Sequence, residues 1–240
     1  MALDIPPRTR RGLFTGIAAA FGGTVGPPQE AGGAATPGPR WGMVVDLARC
    51  IGCQACTLSC IHENAVPVDS FRTIVSVYEL READGARMAM LPRLCNHCVE
   101  PPCIPVCPVG ATFQRADGVV VVNADACVGC AYCVQACPYD ARFINADTGK
   151  ADKCTFCAHR IDAGLLPACV ESCVGGARVF GDLADPTSTA RRLLDGAAPR
   201  VLRPEMHTSP QVFYLGLEPA LQGKVEGEPT LWRPQAREGA

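Results

Sequence analysis

Apolar positions in this chain come in short runs separated by turn residues, and no uncharged run reaches the roughly 18 residues of a membrane-spanning helix. Residues 71–80 and 86–91 flank Asp84–Gly85 and predict a β-hairpin. A second hairpin is predicted where residues 112–115 and 119–123 flank Asp117–Gly118, a dipeptide suited to a tight turn. Residues 43–47 read as a strand leading into a cysteine-rich loop, and residues 178–180 as a strand leading out of one. Asp185–Pro186, then "TSTARRLL" and Gly196, carries the start and stop signals of a short capped helix. From Pro204 the tail holds a strand-like "QVFYLGL" and then loses its period.

The cysteines impose a second pattern. They form four quartets: Cys50, Cys53, Cys56, Cys60; Cys95, Cys98, Cys103, Cys107; Cys127, Cys130, Cys133, Cys137; and Cys154, Cys157, Cys169, Cys173. The first and third have the C-x2-C-x2-C-x3-C spacing of bacterial ferredoxins, and Pro108 and Pro138 close the second and third. Ile61 and Val174 stand where the first and fourth quartets lack that proline. A cubane cluster offers iron at four corners. Cysteines three apart in a tight loop cap three neighbouring corners, while the fourth points away to another cluster. Gly52 and Gly129 inside such loops permit positive φ, which turns backbone N–H groups toward the sulfurs.

Quartet, hairpin, quartet is the plan of an eight-iron ferredoxin. It pairs Cys95, Cys98 and Cys103 with Cys137, and Cys127, Cys130 and Cys133 with Cys107. The outer quartets repeat this. "MVVDLARCIGCQACTLSC" aligns with "VVVVNADACVGCAYCVQAC", each with a strand leading in, and "CVGGARVFGD" aligns with "CPVGATFQRADG", each with a strand leading out. They predict a second unit, split by insertion of the first. Its strands 43–47 and 178–180 pair, and its clusters take Cys50, Cys53, Cys56 with Cys173, and Cys154, Cys157, Cys169 with Cys60. The expected fold class is α+β: two interleaved ferredoxin-like units with short β-hairpins, rich in loops.

Composition narrows the cofactor. Aromatic residues make up 6% of the chain against 24 glycines and 21 prolines, so the core needs cohesion from clusters or disulfides. Disulfides usually join distant cysteines, not four crowded together four times over. Zinc takes pairs of C-x2-C across a long spacer, which only the fourth quartet resembles. Four iron–sulfur clusters use all sixteen cysteines. His97, between two ligands, and His159, in the eleven-residue spacer, are then read as spacer or surface residues. Tyr132 and Tyr139 are expected to cover a cluster, and Lys153 and Arg178 read equally as tuning charges and as solvated side chains. A net charge of −2 offers no basic face for nucleic acid or an anionic membrane. No pterin or nucleotide motif and no nucleophile–base constellation stands out, so no catalytic residue is expected.

At the N-terminus, Arg10–Arg11 precede an apolar segment from Leu13 to Val25 and then "GPPQEAGGAATPGPR". This resembles a twin-arginine export signal, with cleavage expected among Ala31–Ala35, although Leu13–Phe14 inverts the usual order and no lysine follows. The expected segments are 1–40, signal and linker; 41–94, first quartet and inserted hairpin; 95–145, the inserted ferredoxin unit; 146–183, fourth quartet; and 184–240, a docking extension.

The order of quartets, with its long spacer in the fourth, resembles the iron–sulfur subunits of the molybdopterin (dimethyl sulfoxide reductase-type) oxidoreductases over about residues 41–217. More narrowly, "RCIGCQACTLSC", "LPRLCNHC", "CVGCAYCVQACPYDARFIN", "ADKCTFCAHR" and "AGLLPACVESCVGGAR" resemble the tetrathionate reductase iron–sulfur subunits. The resemblance implies a non-catalytic electron wire of four 4Fe–4S clusters, held by the sixteen cysteines as paired above. It implies a periplasmic complex with a molybdopterin-containing catalytic subunit and an integral-membrane quinol-oxidising subunit, reducing tetrathionate to thiosulfate in anaerobic respiration. The equivalent subunit of a thiosulfate, polysulfide, arsenate or selenate reductase, and a stand-alone polyferredoxin, are the alternatives.

Overall fold

The computed structural model describes residues 38–82 and 85–225. Arg10–Arg11, the segment from Leu13 to Val25 and the Ala31–Ala35 stretch lie outside the described residues, as does Asp84. Strand β1 (Trp41–Asp46) ends in a 3-10 turn and leads to helix α1 (Ala55–Asn64). A hairpin follows, β2 (Thr73–Glu82) and β3 (Gly85–Leu94), then a smaller one, β4 (Thr112–Gln114) and β5 (Val120–Val122). Helix α2 (Tyr132–Gln135) precedes a third hairpin, β6 (Arg142–Ile144) and β7 (Ala151–Lys153). Short helices α3 (Ala158–Ile161) and α4 (Ala168–Glu171) lead to β8 (Arg178–Asp182), α5 (Thr189–Gly196), β9 (Val212–Leu215) and α6 (Pro219–Gln222). The architecture mixes short helices with small sheets and is rich in loops.

The largest sheet has the order β8-β1-β9. β1 runs antiparallel to β8, with Met43 opposite Phe180 and Val45 opposite Arg178, so the two ends of the cysteine region meet in one ladder. On its other side β1 pairs in parallel with β9, Met43 opposite Val212. A central strand covered on both faces needs a continuous apolar run. Met43, Val44 and Val45 supply it and are fully buried, each contributing about 1.5–3 kcal/mol. The tail therefore enters the core: Leu202, Tyr214, Leu217, Leu221 and Val225 are buried, and the Tyr214 hydroxyl donates to the Pro92 carbonyl at 3.0 Å.

The turns follow from side-chain chemistry. Between β4 and β5, Gly118 takes φ 87° while the Asp117 carboxylate accepts from the Val119 N–H. In α5, the Ser188 hydroxyl caps the Arg191 N–H at 3.1 Å. The β6–β7 hairpin has no counterpart among the sequence expectations. Its strands are three residues long, and Ala-Asp-Lys shows no apolar alternation. What makes the turn is Asn145, whose side-chain oxygen accepts from the N–H groups of Asp147 and Thr148.

Candidate cluster-binding site

The C-x2-C stretch that opens each quartet puts its third residue in the left-handed region: Gly52 at φ 70°, His97 at 43°, Gly129 at 72° and Phe156 at 51°. This turn aims an N–H at the first sulfur. Phe156 N–H donates to Cys154 Sγ at 3.4 Å, and the Gly52 N–H bonds the Cys50 sulfur. A parallel device serves the last cysteine of three quartets. The N–H groups of Ala111, Ala141 and Ala177, each four residues on, bond the sulfurs of Cys107, Cys137 and Cys173. Such donors favour the thiolate, the form that ligates metal. At Cys107, burial raises the thiol, but N–H groups of Thr112, Val109 and Ala111 prevail and hold it below its ordinary value.

Three cavities are each lined by four cysteines. One holds Cys50, Cys53, Cys56 and Cys173, a second Cys95, Cys98, Cys103 and Cys137, and a third Cys60, Cys154, Cys157 and Cys169. Of the remaining four thiols, Cys107, Cys127 and Cys133 share a small apolar cluster with Val122, Val134 and Ile144, while Cys130 is exposed. All sixteen are free thiols.

These residues fit a multi-atom cluster. Among the described residues, no three His, Cys, Asp or Glu side chains converge closely enough to hold one ion, as zinc bonded to sulfur at about 2.3 Å would require. Asn96 points the same way. Its amide is buried, lines the second cavity and has no hydrogen-bond partner among the described residues. An orphaned amide costs about 1–3 kcal/mol, and a group carrying acceptor sulfurs in that cavity satisfies the Asn96 donor.

Two family models match the sequence. Each is described as a 4Fe-4S dicluster domain, one over residues 86–183 and one over residues 49–111. The B subunit of tetrathionate reductase from Salmonella typhimurium is 58% identical over 204 residues, covering 82% of this chain and 82% of its own length. This protein belongs to the family of tetrathionate reductase B subunits. More distant similarity reaches the B polypeptide of polysulfide reductase from Wolinella succinogenes, 40% identical over 78% of this chain and 98% of the relative. The B subunit of selenate reductase from Mesobacillus selenatarsenatis is 36% identical over 73% of this chain and 72% of the relative.

Within this member of the tetrathionate reductase family the four thiol groups differ in exposure. The groups of Cys50 and Cys127 each place one thiol, Cys53 or Cys130, at the surface. In the other two groups every cysteine is buried except the half-buried Cys137. Burial pushes the thiols of Cys60 and Cys98 up to about 12 and that of Cys169 to about 11, so iron must displace their protons. The groups are also neighbours: Cys154 interacts electrostatically with Cys95, and Cys169 with Cys56.

Several side chains differ from their sequence-based reading. His97 is no surface residue; it is fully buried and stacks on Phe156 with ring centroids 3.7 Å apart. Its Nδ1 accepts from the Val120 N–H, and burial, with Lys153 and Arg142 nearby, lowers its basicity and keeps it neutral. Tyr132 is 57% exposed although its neighbour Cys133 in α2 is buried, whereas Tyr139 is buried against the second cavity and bonds Thr208. Lys153 and Arg178 are both buried. His159 is exposed and pairs with Glu63. Sequence reasoning missed Arg142, whose place five residues after Cys137 matches that of Arg178 after Cys173, and Asn96 and Thr208, which no motif marks.

Proposed function

We propose that this protein is the electron-transfer subunit of a molybdopterin oxidoreductase, with tetrathionate as the terminal acceptor, reduced to thiosulfate on a separate catalytic subunit. The observation that carries the reading is the three cavities each lined by four cysteines, beside a small cluster that gathers Cys107, Cys127 and Cys133. Single-electron uptake and release is the chemistry that 4Fe–4S clusters supply when bound. On this reading Cys50, Cys53, Cys56 and Cys173 hold one cluster and Cys60, Cys154, Cys157 and Cys169 the next. Cys95, Cys98, Cys103 and Cys137 hold a third, and Cys107, Cys127, Cys130 and Cys133 a fourth. The β1–β8 ladder and the shared cavity of Cys50 and Cys173 support a ferredoxin-like unit interleaved around a second one.

The protein's own residues position and shield, with no bond chemistry of their own. Backbone N–H groups of Gly52, Phe156, Ala111, Ala141 and Ala177 neutralise sulfur charge, and the buried Tyr139 and Phe156 cover the Cys95 and Cys154 groups whose cavities they line. Among the described residues no helix is long and apolar enough to cross a membrane. The reading assigns quinol oxidation to an integral-membrane partner and gives this subunit a periplasmic location, reached folded through the Arg10–Arg11 signal.

The test is purification of the native complex from anaerobic cells, with metal analysis and assays on several acceptors. The expected result is about sixteen irons with matching sulfide per chain and reduction of tetrathionate. Zinc in place of iron, or activity on selenate or polysulfide with none on tetrathionate, overturns the corresponding part. Loss of export in an R10K/R11K double variant checks the location, and unchanged export refutes it.

A further inference from the structure

Four cationic side chains are buried in the described structure: Arg93, Arg142, Lys153 and Arg178. Arg93 bonds the Ser76 hydroxyl and the Val225 carbonyl. The other three share a different setting. The Arg142 guanidinium donates to Cys103 Sγ at 3.0 Å and to Thr112 Oγ1, lines the cavity of Cys95, and also bonds Cys133 of the neighbouring group. Lys153 donates to the carbonyls of Val120 and Cys154 and interacts electrostatically with Cys95 and Cys103 on one side and Cys154 on the other. Arg178 reaches Thr73 Oγ1 at 2.8 Å and Cys169 Sγ at 3.9 Å, and lines the cavity of Cys50, Cys53, Cys56 and Cys173. Arg142 and Arg178 occupy the same place in the internal repeat, five residues after Cys137 and Cys173.

Among the described residues, none of the three has a carboxylate at ion-pair distance. A cation taken out of water without a counter-charge costs several kcal/mol, so negative charge has to come from the groups beside it. Those groups are cysteine sulfurs, and four thiolates outweigh the positive charge of a cluster core. We propose that Arg142, Lys153 and Arg178 are shared counter-ions, each fixed between two adjacent thiol groups, so that each raises the reduction potential of two neighbouring clusters at once. The inference rests on reading the thiol groups as cluster sites. The three cations join the four groups in single file: Cys127 group, Arg142, Cys95 group, Lys153, Cys154 group, Arg178, Cys50 group. A shared cation moves neighbouring potentials together, which keeps the step between them small when either is adjusted.

The test is a redox titration, followed by electron paramagnetic resonance, of the full chain loaded with clusters under anaerobic conditions. R178M is expected to make reduction of both flanking clusters about tenfold less favourable, about 59 mV for a one-electron couple, and to leave the other two unmoved. K153M and R142M displace the next pairs in turn, while R178K, R142K and K153R keep the wild-type potentials. Should a methionine variant fail to load, the glutamine and charge-retaining variants at that position give the same comparison. A shift confined to one cluster, an equal shift of all four, or no shift in loaded neutral variants overturns the shared-counter-ion inference. A wild-type protein that takes up no iron and sulfide overturns the cluster-site reading instead, so the two failures are distinct.

Discussion

The Cys50 and Cys127 groups, the outer two in the row of thiol groups, and the Cys95 and Cys154 groups between them begin from the same backbone turn and fill it differently. In the outer loops the left-handed position is Gly52 or Gly129, and the cysteine that follows, Cys53 or Cys130, is exposed. In the inner loops the position is His97 or Phe156, the two rings stack on each other, and the cysteines that follow are buried. Glycine takes positive φ freely, whereas a side chain there costs about 1–2 kcal/mol. The inner loops accept that strain and gain a ring stack that seals the region between them. The outer loops carry no side chain at that position and leave one thiol each exposed.

Breaking an inner ligand tests the comparison most severely. Cys60→Ser is expected to remove the cluster signal of the Cys154, Cys157 and Cys169 group and to stop transfer between the outer groups. Spectra that lose only the signal of the Cys50 group contradict this. Phe156→Ala removes the central stack and is expected to cost about 3 kcal/mol or more by denaturant unfolding of the loaded protein. An effect below about 1 kcal/mol means the stack does not hold the inner loops.

Gly129→Ala probes the outer turn. A Cβ there falls 2.3 Å from the Gly149 carbonyl oxygen at φ 72°, so about 2 kcal/mol of destabilisation is expected. Unchanged stability refutes that close approach. The smallest effect belongs to Glu63, whose carboxylate pairs with His159 and Arg160 on the outer side of the Cys154 group. The His159 hydrogen bond lowers this carboxyl from its ordinary 4.5. A lowered carboxyl stabilises the fold above its unfolded value and loses that contribution as pH falls through the folded one. E63Q should therefore lower the melting temperature slightly at pH 7, with the difference vanishing in acid; a difference that grows in acid contradicts the assignment.

Strand pairing was the most legible feature of the chain. Internal similarity between residues 43–60 and 119–137 implied an incoming strand, and β1 opposite β8 has the expected partners. Both hairpin signals depended on Asp-Gly turns and correspond to β2–β3 and β4–β5. The β6–β7 hairpin escaped because its turn depends on the side chain of one asparagine. At the site, spacing marks the loops but not what surrounds them. A histidine between two cysteines reads the same whether it faces water or Phe156, and a lone lysine before a cysteine carries no sign of being buried. Those environments arise from contacts across long separations, such as Lys153 with Val120, which local pattern does not encode.

The cavity that joins Cys50, Cys53 and Cys56 to Cys173 also bears on how the protein is made. On a ribosome the first three thiols emerge early and then wait for a partner at the far end of the cysteine region. By the time Cys137 has emerged, every thiol of the Cys95 and Cys127 groups is available, while the Cys50 and Cys154 groups still lack members. On the proposed pairing, the two middle groups therefore have all their thiols in the emerging chain before the other two do. On that pairing, a truncation just before Cys173 leaves the Cys95, Cys127 and Cys154 groups with all their thiols and the Cys50 group short of one.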